Sequence, residues 1–137
     1  MLTRVRTLQE DHSRLRALLR NCETAAAQDL AHCLRSLEEA FVPHREAKLA
    51  LYEDSMRAYQ EVGDKVNVSV LSIFRTNMKV TSQAILGFLH APDPEPARFR
   101  ERFQSVASTL RSMMDTEEKV IFPLCIRRAQ HTGARHE

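Results

Sequence analysis

Glycine is scarce in this chain, at three residues in 137. Strand-and-turn architectures rely on glycine at tight turns and bulges, so the shortage argues against them and leaves long uninterrupted helices. Cysteine is sparse too: Cys22, Cys33 and Cys125 form an odd set with no CxxC spacing, and nothing in it suggests a disulfide framework. No apolar run approaches the ~20 residues of a membrane span. The opening MLTRVRTLQEDH lacks the apolar core of a secretory leader. These absences lead to the expectation of a cytoplasmic protein with free thiols and no membrane partner. A net charge of +2 is too small to call for nucleic acid.

What is present is ordinary for a globular domain, with 43% apolar and 28% charged residues and a length that suits one core. Helical periodicity dominates. Thr3 is a candidate cap for a first helix carrying Leu8, His12, Leu15, Leu19 and Cys22 on one face. A second helix begins around 28–30, shows Leu30, Leu34, Leu37, Phe41, His44, Lys48 and Leu51, and ends before Gly63. The third starts near Asn67, with Val70, Phe74, Asn77, Thr81, Ile85 and Phe88 as its stripe. HAPDPEP breaks the chain, because closely spaced prolines cannot continue a helix. A fourth helix then places Phe99, Phe103, Val106, Leu110, Met113, Glu117, Val120 and Leu124 in register, with Pro123 expected to kink or end it. The pattern predicts an all-α antiparallel up-down four-helix bundle over residues 1–130, with 131–137 as a flexible tail.

Each apolar stripe is interrupted by polar residues: His12; His44 with Lys48; Asn77 with Thr81; and Glu117 beside Met113. A single such residue is ordinarily a hydrogen-bonded core or boundary residue, and Met113 alone is packing. Four interruptions, one on each helix, point instead to a shared polar layer. Buried polar groups left alone cost a few kcal/mol, roughly 1–3 each, so they should meet one another or a ligand. His32, His90, His131 and His136 fall off the stripes and receive no role.

The arrangement resembles the hemerythrin-like, or HHE cation-binding, domains over the whole bundle. LQEDHSRLRALL at 8–19 is similar to the family's Asp-His opening, HREAKLALY at 44–52 to its second-helix motif, and MMDTEEKVIFPL at 113–124 to its Glu and Phe-Pro ending. The resemblance implies a metal-holding bundle in which His12, His44 and Glu117 match ligand positions. Lys48 stands where the second-helix carboxylate is expected, Met113 where the fourth-helix His is expected, and the third helix has no His. A di-iron centre needs more nitrogen and carboxylate donors than these, and a protonated lysine repels a dication.

Several readings follow. The first is a non-catalytic binding or sensing bundle with a degraded di-iron site. In it His12, His44, Lys48, Asn77, Thr81 and Glu117 form a core polar network. A metal-free module with a Lys48–Glu117 core ion pair, contacting a regulatory protein or forming a homodimer, is the second, with Val68, Leu71, Met78 and Leu86 of the third helix as exposed contact residues. The third keeps one Fe or Zn ion on His12, His44 and Glu117, the donor types of a two-His, one-carboxylate site. Haem on His12 and His44, or on one of them with Met113, is not expected, because no large apolar slot is marked.

Overall fold

The computed structural model describes residues 2–127, so the proposed tail at 131–137, with His131 and His136, lies outside the described residues. The helices are α1 (Leu2–Thr24), α2 (Ala27–Glu61), α3 (Lys65–His90) and α4 (Pro96–Thr116). A π-helical turn, Glu117–Ile121, extends α4, and the chain returns to α-helix over 122–127. Among the described residues there is no strand, and the structure is an all-α helical bundle. The short connections at 25–26, 62–64 and 91–95 make successive helices antiparallel neighbours. Among the described residues no helix is long and apolar enough to cross a membrane.

Local chemistry sets the helix ends. The Asp64 side chain accepts from Asn67 N at 3.1 Å and starts α3. Glu95 caps α4 by accepting from Ala97 N and Arg98 N, with Pro96 in the first turn where a missing N–H costs nothing. Gly63, at φ 72, takes the left-handed turn between α2 and α3 that other residues resist. Thr3 is not a cap: it lies inside α1, and its backbone oxygen accepts from Thr7 Oγ1.

The core runs the length of the bundle, through Leu15 and Leu19 of α1, Leu37, Phe41 and Leu51 of α2, Leu71 and Ile85 of α3, and Leu110 of α4. The α1 and α2 stripes are as the periodicity predicts. On α3 the buried positions are Leu71, Met78, Ser82, Ile85 and Leu89, one step round from the predicted stripe. Two apolar rows lie side by side on this helix, and the row chosen is the one free of Asn77 and Thr81. Leu71 and Met78 are therefore core residues, with Val68 and Leu86 half-buried, rather than an exposed contact face. On α4, Val120 is half exposed and Ile121 takes the buried place. The π turn inserts a residue and so delays the stripe by one. Pro123, which cannot donate to the carbonyl four residues back, accounts for the widened turn; Phe122 N–H bonds instead to Glu117 O.

Candidate metal centre

His44, Lys48 and Tyr52 follow one another at four-residue spacing on α2 and so share one face. That face meets His12 of α1 and Glu117 at the start of the π turn. His12, Lys48, Tyr52 and Glu117 have no exposed surface, and His44 has 1%. Pro43 and Ala47 are both exposed, so the inward register of α2 is anchored on His44.

Glu117 is the hub. Its Oε1 accepts from Lys48 Nζ at 3.1 Å, and its Oε2 accepts from the Tyr52 hydroxyl. His12 Nε2 lies 3.3 Å from Oε1, close enough for an ion pair. Burial alone would raise this carboxyl's pKa, but the Lys48 charge, with help from His12 and Tyr52, overrides it and holds the group at about 2. The Lys48 pKa is lowered as well: burial pulls it down, and Glu117 opposes the shift. Its ammonium also lies 3.9 Å from Met113 Sδ and 6.0 Å from the centre of the Phe41 ring.

Both imidazoles have a carboxylate on their outer side. His44 Nδ1 is 3.0 Å from Asp11 Oδ2, and His12 Nδ1 is 3.4 Å from Glu118 Oε1. Arg16 holds Glu118 with two hydrogen bonds, at 3.2 and 2.6 Å. Phe122 stacks on His12 at 5.4 Å between ring centres. The His12 contacts lie within ion-pair range but are out of line for hydrogen bonds, so both its ring nitrogens, and His44 Nε2, lack a hydrogen-bond partner. His44 is pushed down to about 4 by burial and then by Lys48, against the pull of Asp11, and is neutral at pH 7.

His12, His44 and Glu117 each offer a ligand atom, all within 4.8 Å of one another. The donor chemistry suits one Fe or Zn ion only in part: Lys48 Nζ already lies against the single carboxylate, and an incoming dication would have to displace it. A di-iron centre does not fit, since the donors are too few and an ammonium sits among them. The two imidazole rings touch edge to face at 4.9 Å, too close for a haem to lie between them.

Two members of the predicted network are elsewhere. Asn77 is exposed and Thr81 half-buried, because α3 turns its apolar row inward. Ser82 is the polar residue that α3 buries, and it accepts from Arg45 Nε at 2.6 Å. Asn77 and Thr81 instead line a groove of about 400 Å³ with Ser108, Thr109, Ser112 and Thr116. Met113, whose sulfur lies beside Lys48, is also among its lining residues. His32 and His90 are exposed and lie away from the centre. Sequence reasoning missed Tyr52, Asp11 and Glu118 as parts of the site. Tyr52 had a signal, being four residues beyond Lys48; the carboxylates had only their adjacency to His12 and Glu117.

The family model of the hemerythrin HHE cation binding domain matches residues 3–125. No curated protein and no solved structure matches the chain.

Proposed function

Because the chain belongs to the hemerythrin HHE cation-binding family, we propose that it is a non-catalytic binding or sensing bundle in which a Lys48–Glu117 ion pair stands in place of the di-iron centre. The observation that carries this is the position of the Lys48 ammonium, fully buried and 3.1 Å from the one carboxylate of the candidate centre. Tyr52 engages the other carboxylate oxygen, so the positive charge a metal would supply there is supplied by the chain itself.

The groove that reaches Met113 fits the binding role. Its polar lining is hydroxyl and amide, suited to a small uncharged molecule rather than an ion. We place the protein in the cytoplasm, with a regulatory protein or a second copy as its partner and no nucleic acid. The free thiols of Cys22, Cys33 and Cys125 and the small net charge support this reading.

A second reading, one Fe or Zn ion on His12, His44 and Glu117, has its own support. The inner His44 nitrogen has no partner while its outer nitrogen is held by Asp11, the way a carboxylate orients a metal-ligating histidine. Elemental analysis of untagged protein prepared without chelators, before and after incubation with Fe(II) or Zn(II), decides between them. The ion-pair reading expects no retained metal. One ion per chain, lost in His44→Ala, would establish the second reading in its place, and two irons would overturn both.

A further inference from the structure

Helix α3 carries a second apolar row that the other described residues leave exposed. Val66, Val70, Ile73, Asn77, Val80 and Ala84 are all exposed and are spaced alternately by four and three residues. That is the heptad rhythm of a helix–helix seam, with Val66, Ile73 and Val80 at one position of the repeat and Val70, Asn77 and Ala84 at the other. Four of the seven large hydrophobics exposed among the described residues lie on this one row: Val66 at 73%, Val70 at 38%, Ile73 at 65% and Val80 at 68%. Isolated exposed apolar residues are normal on a protein surface; a regular row of β-branched ones is not.

The flanks narrow the choice of occupant. Ser69, Thr76 and Gln83 border the row on one side, and Asn67, Phe74 and Thr81 on the other, so no flanking position carries a charge. The charged residues within α3 beyond its first and last positions, Arg75 and Lys79, fall on its other faces. In a chain whose residues are 28% charged, this strip offers no counter-charge to an acidic or basic partner, which would lose hydration there for nothing in return. An identical strip meets it without like-charge repulsion, and the central Asn77 gives such a pair a hydrogen-bonding group that fixes its alignment.

We propose that the Val66–Ala84 row of α3 is a self-association surface, where a second copy of this chain packs helix against helix. The pairing is weak and reversible. The row spans about 27 Å at 1.5 Å per residue and is about 10 Å wide, so its footprint is on the order of 270 Å² per copy. This belongs with the small transient contacts below ~1,200 Å² in total, not with obligate dimers. Phe74, Asn77 and Thr81 also line the groove that reaches Met113, so pairing covers part of that groove's wall.

Sedimentation equilibrium from low micromolar to near-millimolar chain concentration tests the proposal. The mass should rise from 15.7 kDa toward twice that value. Ile73→Glu, at a largely exposed position, should remain a monomer at the highest concentration with unchanged helical circular dichroism. Asn77→Leu should tighten the dimer on the order of tenfold, because it removes the cost of a buried amide. A wild-type mass that stays at one chain throughout would overturn the proposal. So would a dimer that survives Ile73→Glu, or one broken instead by Val42→Glu on α2.

Discussion

Replacing Lys48 with methionine leaves the Glu117 carboxylate buried beside the Tyr52 hydroxyl and the His12 ring but without the lysine counter-charge. The group escapes by taking up a proton. Doing so at about pH 7 from an ordinary value near 4.5 costs roughly 3.4 kcal/mol, which falls within the ~3–5 kcal/mol typical of a broken buried pair. Glu117→Gln poses the converse problem for the ammonium, softened by the amide oxygen, and should cost about 3 kcal/mol. With both substitutions in one chain no charge is stranded, so the double variant should lie within about 1 kcal/mol of wild type. Urea unfolding reads each value, a 3 kcal/mol loss moving the midpoint by about 1–3 M. The sign of the pH dependence separates this from simple loss of packing. In wild type the Glu117 pKa is depressed to about 2; its contribution is present above about 4.5 and is lost as pH falls toward 2. In Lys48→Met the folded value rises above the unfolded one, so its contribution is present at low pH and lost as pH rises. The deficit of Lys48→Met against wild type should shrink by roughly 2.7 kcal/mol between about pH 7 and about pH 5. Additive single effects with a deficit independent of pH would refute the ion pair as the organising interaction.

Three further outcomes follow from the same geometry. His44 is neutral in the fold, with a pKa of about 4 against an ordinary 6.5. The unfolded chain binds the extra proton between those values, so metal-free protein should lose up to roughly 3 kcal/mol as pH falls through that window. His44→Gln should flatten this part of the stability profile, and an unchanged slope would show that the histidine is not the cause. Tyr52→Phe removes a donor to a buried carboxylate and should cost about 1–3 kcal/mol. It should also move Glu117 up from about 2, as followed by carboxyl carbon NMR; an unshifted titration would contradict the hydrogen bond. Lys48→Glu should be destabilised without metal and gain thermal stability with Zn(II) or Fe(II), while wild type does not. Equal shifts in the two proteins would exclude Lys48 as the residue that controls metal binding.

Much of the fold was legible because α1 and α2 each carry one apolar row, and the eye and the core choose the same one. Helix α3 was harder to read: Leu71, Met78 and Leu89 compete with Val70, Phe74 and Phe88, and only contact with α2 shows which row turns inward. Val120 was misplaced because the π turn changes the helical count ahead of Pro123, and period-3.6 reasoning carries no such step. At the site, His12, His44, Lys48 and Glu117 stood out because a charge or imidazole on an apolar stripe demands a partner. Tyr52 did not, since an aromatic ring on a stripe looks like packing until its hydroxyl is seen against a carboxylate. Asp11 and Glu118 act across helix boundaries, on His44 and His12, and sequence spacing within one helix does not encode those contacts.

Charge counting explains why residue 48 has such leverage over what this bundle holds. With Glu117 ionised, Lys48 protonated and His44 neutral, the ammonium and carboxylate of the core cancel. A dication added to that core would leave two positive charges in a space with no exposed surface, an arrangement far less favourable than releasing the ion to water. Turning Lys48 away does not rescue the balance unless the ammonium also gives up its proton, which burial encourages and Glu117 resists. A carboxylate at position 48 reverses the account: two carboxylates without an ion would repel, and one dication would neutralise them. The inward-facing imidazoles, the carboxylates behind them and the Phe122 ring need no change between the two cases. On the proposed reading, that is why so much of a metal-holding frame persists around a lysine: the frame serves either cation, and the sign of one side chain selects which cation is bound.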